Sequence, residues 1–142
     1  MAEGRGLVLV LAGDGRPWVT GGVVLRALGQ GLDVLVCPLD GDGQVYRQLV
    51  RTTGLPGRLA VCPCPGDPER WLTTMAGEIA AGRHDMIVLP AVERILAEGL
   101  ERELVSLLDA RPPGLHLVLA GQGDLGGLAD AADMVTCFER RK

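Results

Sequence analysis

Eight residues near the start of the chain have the placing of a phosphate cradle: Gly13-Asp14-Gly15-Arg16-Pro17-Trp18-Val19-Thr20. They follow one apolar run and open an amphipathic one. A loop in that place binds phosphate by aiming backbone N–H groups at it from the start of a helix. Its chemistry needs glycines for the turn, a Lys on the terminal phosphates and a Ser or Thr hydroxyl on magnesium. Gly13 and Gly15 can supply the turn. Pro17 has no N–H to donate, and Trp18 and Val19 stand where the Lys and the hydroxyl belong. On these residues alone the segment reads as a tight strand-to-helix turn.

Other side chains with chemical potential are scattered. Asp14, Asp40, Asp42 and Asp124 fall after apolar runs and could recruit a cation if they converged; aspartates are also ordinary turn residues. Arg16 could meet an anion at the helix start or be a solvated loop residue. Trp18 could stack on a planar ligand or plug an apolar gap. Trp71, spaced with Met75 on a helix, is expected in the core or on a dimer face. Cys62-Pro63-Cys64 is too close for the usual two-cysteine redox or zinc motif. With Cys37 and Cys137 it reads as a set of reduced, mostly buried thiols, and the sequence assigns Cys62 and Cys64 no role. His84 and His116 are not spaced to complete a metal site, and none is expected. His116 reads as a satisfied core histidine, and Glu101 and Glu103 as solvated helix charges.

The elements that must position these residues alternate. Short Val- and Leu-rich runs at 7–12, 33–37, 58–62, 85–89, 115–120 and 133–138 read as strands buried on both faces, as in a parallel sheet. Between them, 19–28, 44–53, 68–81, 91–110 and 124–132 have helical spacing. Asp67 is the expected N-cap of the third helix with Pro68 at its first position, and Gly99 the expected break in the fourth. Strand then helix, repeated, predicts an α/β fold: a three-layer P-loop/Rossmann-like parallel sheet with helices on both faces, in a single domain over 1–142. Ligands then bind beyond the carboxyl ends of the strands.

Composition narrows the function. Net charge is −4 with no basic stripe, so nucleic acid is not an expected partner. No apolar run approaches the roughly 20 residues that span a bilayer, so no membrane role is expected. The opening Met1-Ala2-Glu3-Gly4-Arg5 lacks a signal-peptide pattern, which makes the cytoplasm the expected compartment.

The order of motifs resembles a known family. The Gly13-Asp14-Gly15 loop, the helix end Leu25-Arg26-Ala27-Leu28-Gly29-Gln30-Gly31 and the strand Asp33-Val34-Leu35-Val36 are similar to the opening of the P-loop-type ATP:cob(I)alamin (corrinoid) adenosyltransferases. So are His84-Asp85-Met86-Ile87-Val88-Leu89, Arg111-Pro112-Pro113-Gly114-Leu115-His116-Leu117-Val118, and Leu128-Ala129-Asp130-Ala131-Ala132-Asp133-Met134-Val135-Thr136. The resemblance implies MgATP and a corrinoid as ligands and a homodimer as the assembly. It also carries Gly13, Asp14, Gly15, Arg16 and Thr20 over as remnants of a nucleotide loop. The departures sit where that family does its chemistry: Pro17 for a glycine, Trp18 for the Lys, Val19 for the magnesium-binding Thr, and Pro90 and Ala91 for an acidic pair. No catalytic residue remains. The expectation is therefore a non-catalytic homologue with an eroded P-loop, acting as a binding or interaction module for a corrinoid or a protein; the alternative is an active adenosyltransferase with a remodelled nucleotide site.

Overall fold

The six apolar runs form β1 (Val8–Gly13), β2 (Asp33–Val36), β3 (Arg58–Val61), β4 (Met86–Leu89), β5 (His116–Gly121) and β6 (Met134–Phe138). A computed structural model describes residues 6–13, 18–39, 43–51, 54–62, 66–123 and 125–138; the side chains of Trp18, Val19, Leu49, Val50 and Phe138, and the surroundings of Gly43, also lie outside the description. The strands pair in parallel in the order β3-β2-β4-β5-β1-β6. The connections carry α1 (Trp18–Gly29), α2 (Gly43–Arg51), α3 (Pro68–Ala81), α4 (Glu93–Ala97), α5 (Glu101–Asp109) and α6 (Gly127–Ala131).

The strand order and right-handed crossovers decide which helix covers which face. From β1 to β3 the chain moves one way across the sheet, which places α1 and α2 together. From β3 to β6 it moves back, which places α3 to α6 opposite. Two cores result. Val8, Val10, Leu35, Ile87, Leu89, Leu117 and Leu119 point to α3–α6, where Trp71, Met75, Ile79, Leu104 and Leu128 meet them. The alternate residues Leu11, Val34, Val36, Val88, Val118 and Ala120 meet Val24, Ala27 and Leu28 of α1 and Tyr46 of α2. Strands with apolar side chains at successive positions satisfy both cores, as the unbroken apolar runs require.

Local signals set the helix ends. Asp67 accepts a hydrogen bond from Glu69 N at 3.3 Å and Pro68 occupies the first turn of α3. Gly99, at φ +75°, separates α4 from α5 at the expected break. Trp71 belongs to the core and not to an outer face: it is 1% exposed, and its Nε1 donates to the Cys37 carbonyl at 2.9 Å.

The amino end of the sheet is closed by side chains. Asp133 Oδ2 accepts from Val8 N and Asp85 Oδ2 from Asp33 N, both at 2.8 Å. His116 Nδ1 accepts from Leu7 N at 3.1 Å, so the histidine is satisfied at a half-buried strand start. Arg111 donates to Leu108 O at 2.7 Å and lies 3.8 Å from Asp133 Oδ2. These bonds tie the strand starts together at that end of the sheet, although Arg111 Nε is left without a partner among the described residues.

Two glycines make opposite predictions. A Cβ on Gly57 would sit 2.4 Å from the Leu32 carbonyl oxygen and 2.8 Å from Leu28 Cα, both backbone atoms that side-chain motion cannot relieve. Gly57→Ala is expected to lower stability by at least about 2 kcal/mol through overpacking. A Cβ on Gly77, within α3, meets nothing within 4 Å. Gly77→Ala is expected to raise stability by about 0.5–1 kcal/mol. Urea unfolding of the two variants beside the wild type checks both signs.

Candidate functional site

β1 and β5 are neighbours whose onward connections leave for opposite faces, β1 to α1 and β5 to α6. Where adjacent loops part in this way, a crevice opens beyond the carboxyl ends of the strands. Gly13 ends β1 with φ +117° and α1 begins at Trp18, so only four residues join strand to helix. Asp14, Gly15, Arg16 and Pro17 lie outside the described residues, as do Asp40, Asp42 and Asp124. The structure places Gly13 at the crevice, with Trp18 and Val19 in the first turn of the helix.

The β4 side of the crevice is held by backbone strain and one carboxylate. Pro90 and Ala91 are buried, and Ala91 has φ +64°, the sole positive value among the described non-glycine residues. An alanine in that region costs about 1–2 kcal/mol, and the structure around it offsets the cost. Val92 N, one residue on, donates to Ala120 O at 2.9 Å. Glu93 follows, and its Oε1 accepts from Gln122 N, beyond β5, at 3.2 Å. A Cβ on Gly121 would lie 2.8 Å from that same Oε1, so the glycine is what lets Glu93 approach. The acidic group nearest the end of β4 is therefore committed to joining the β4 and β5 loops.

Glu101, expected as a solvated charge, is half-buried instead and accepts from Gly127 N at 2.8 Å. It caps the start of α6, where the free N–H groups favour a carboxylate. Glu103 is exposed as expected. The sequence carries no sign of this role for Glu101, because a glutamate in the first turn of a helix looks the same whether its oxygen reaches solvent or a neighbouring loop.

Thr20 faces inward. It precedes Val24 and Leu28 by four and eight residues, and all three are 0% exposed on the side of α1 that meets the sheet. Its hydroxyl makes no hydrogen bond. A residue on that face supplies packing and cannot present its oxygen to a metal at the loop.

The phosphate charge of a nucleotide needs a cation that packing cannot replace. The only lysine in the chain is Lys142, its last residue; its absence elsewhere is a sequence signal as plain as the substitutions at Trp18 and Val19. With Thr20 buried and Glu93 engaged by the β5 loop, the described residues do not form a magnesium–triphosphate site. Among them there is also no group of three or more His, Cys, Asp or Glu that could hold a metal.

The cysteines differ in setting. Cys37 is buried, Cys62 half-buried and Cys137 exposed, so the mostly buried set expected from sequence does not hold at β6. Cys64 lies outside the described residues. No described helix is long and apolar enough to cross a membrane.

No protein-family model and no curated protein matches the sequence. Solved structures do match in shape. One is the RadB recombinase, with a TM-score of 0.62 and 16% identity over 94% of this chain and 74% of that one. These findings overturn the resemblance to the corrinoid adenosyltransferases, and the ligands and dimer it implied lapse with it. The motifs that suggested it are apolar strands, a glycine after a strand and a glycine after a helix, which this architecture needs in any family. What the likeness shows is the fold: a single-domain α/β sheet of the P-loop/Rossmann-like kind.

The inward Thr20 gives a test of this reading. Replacing an unsatisfied buried hydroxyl by a methyl of similar shape removes a desolvation cost. Thr20→Val is expected to stabilise the protein by about 1 kcal/mol, measured as a higher urea midpoint with an unchanged slope.

Proposed function

We propose that this chain keeps the scaffold of a nucleotide-binding α/β domain without its nucleotide chemistry, and works as a non-catalytic binding or interaction module. The observation that carries the reading is the crevice at β1, β4 and β5: the first turn of α1 holds Trp18 and Val19, and Glu93, a carboxylate there among the described residues, bonds the neighbouring loop. The scaffold itself is intact, with both sheet faces covered and both cores filled. Selection for a fold without its phosphate chemistry fits a protein whose surfaces do the work.

One surface favours that role. β6 is an edge strand, and Met134 and Val135 on it are 55% and 44% exposed, with Leu7 beside β1 at 48%. An uncovered apolar edge is a template for pairing with another chain. A homodimer in the cytoplasm is the form this reading favours, and light scattering on the full chain measures it.

Calorimetric titration with MgATP tests the central claim. The wild type is expected to show no binding in the micromolar range, about −8 kcal/mol. Micromolar binding by the wild type overturns the reading and restores a remodelled nucleotide site. The combined Pro17→Gly, Trp18→Lys, Val19→Thr variant, measured alongside, is expected to gain affinity if the loss of those groups is the cause.

A further inference from the structure

Cys37 and Cys62 stand side by side at the carboxyl ends of two adjacent strands. Val36 of β2 pairs with Val61 of β3, so the next residues, Cys37 and Cys62, face each other. The β2–β3 ladder continues to Cys62, whose N donates to Val36 O at 2.9 Å, while Cys37 N bonds the neighbour on the other side, donating to Val88 O of β4 at 2.9 Å. Neighbouring strands lie about 4.8 Å apart, which falls within the Cα separation of about 4.4–6.8 Å that a disulfide spans. Both side chains point to the α3–α6 core, Cys37 within it and Cys62 packed against it. The interaction between the two thiols shifts their pKa values in opposite directions.

The two positions are chemically unequal. The interaction with Cys62 and burial push the Cys37 thiol far above its ordinary range, so it stays protonated while Cys62 is a thiolate; oxidation of Cys62 to the sulfenic acid removes the first of these causes. The same interaction lowers Cys62, against the opposing effects of partial burial and the Glu78 carboxylate. Cys62 is also the one of the pair with access to solvent. A solvent-reachable sulfur with a lowered pKa beside a second thiol is the arrangement that peroxide-sensitive cysteines share.

We propose that Cys37 and Cys62 form a two-thiol modification site for hydroperoxides, in which Cys62 attacks and Cys37 resolves. In the first step the Cys62 thiolate attacks one peroxide oxygen. An S–O bond forms, the O–O bond breaks, and the leaving oxygen takes a proton, departing as water in the case of hydrogen peroxide. In the second step the Cys37 sulfur attacks the sulfur of the Cys62 sulfenic acid. The S–S bond forms, the S–O bond breaks, and hydroxide leaves with the Cys37 proton as a second water. The thiols lose two electrons together and the peroxide gains them. The product joins the ends of β2 and β3. It lies beside Trp71, whose Nε1 holds the Cys37 carbonyl at 2.9 Å. The proposal is independent of the fate of the nucleotide site.

The test is stoichiometric hydrogen peroxide on the reduced full chain, read by intact mass and by peptide mapping. A mass lower by two hydrogen atoms, with the Cys37 and Cys62 peptides joined and restored by dithiothreitol, is the expected result. In a Trp18→Phe background the emission of Trp71 should change and recover in step. Cys62→Ser should form no disulfide at Cys37, and Cys37→Ala should leave Cys62 as a sulfenic acid that dimedone captures. Alkylation of Cys62 should outpace that of Cys37 by at least about tenfold, as its thiolate character and access predict. A disulfide from Cys62 to Cys64 or Cys137, or Cys62 overoxidised while Cys37 stays a thiol, overturns the proposal. Should Cys37→Ala fail to fold, the wild-type peptide map alone decides.

Discussion

The pairing of β1 with β5 is the constraint on which the rest of the molecule depends. Five residue pairs, from Val8 with Leu117 to Ala12 with Gly121, set this register. β1 also pairs with β6 on its other side, so it is enclosed by hydrogen bonds laterally and by helices above and below. A parallel pair cannot be closed by a tight hairpin and needs a crossover connection of a dozen or more residues. The handedness of those crossovers then fixes α1 and α2 on one face and α3 to α6 on the other. The crevice at the strand ends follows, because β1 and β5 send their next helices in opposite directions.

That crevice is where this architecture offers a ligand site. Among the described residues, polar groups around it bond one another: Glu93 to Gln122, Val92 to Ala120, Glu101 to Gly127. Each bond ties one loop to the next. A binding site needs polar groups held ready for a ligand, and these are held by the protein itself. The strained backbone at Ala91 fits the same picture, since it turns Val92 and Glu93 toward the β5 loop. Strain often accompanies a functional site; in this chain its visible product is a closed loop junction. The paired thiols at the ends of β2 and β3 lie on the same rim and owe nothing to phosphate chemistry.

The misleading family resemblance has a physical source. Its matching segments were strand cores, a glycine at the end of β1, glycines past α1 and the Pro-Pro-Gly turn before β5. Such residues answer to burial and turn geometry, and unrelated chains meet the same demands in the same order. The positions that distinguish one family's chemistry from another were those that did not match. A likeness carried by scaffold residues reports the scaffold.

The sequence by itself determined the class of fold. Six apolar runs of strand length, separated by helical spacing, Asp67 with Pro68, and Gly99 leave few alternatives to a parallel sheet with helices on both faces, because local periodicity and cap chemistry act over a few residues. It also determined that Trp18 and Val19 stand where a nucleotide site needs a Lys and a hydroxyl. Tertiary structure decided what those signals leave open. Strand order brought Cys37 against Cys62, 25 residues apart in the chain, and Glu93 against Gln122. It turned Thr20 into the core and Trp71 onto the Cys37 carbonyl. Contacts of this kind depend on which strands become neighbours and on the face each residue shows. Those choices are made by the whole sheet, so no local pattern contains them.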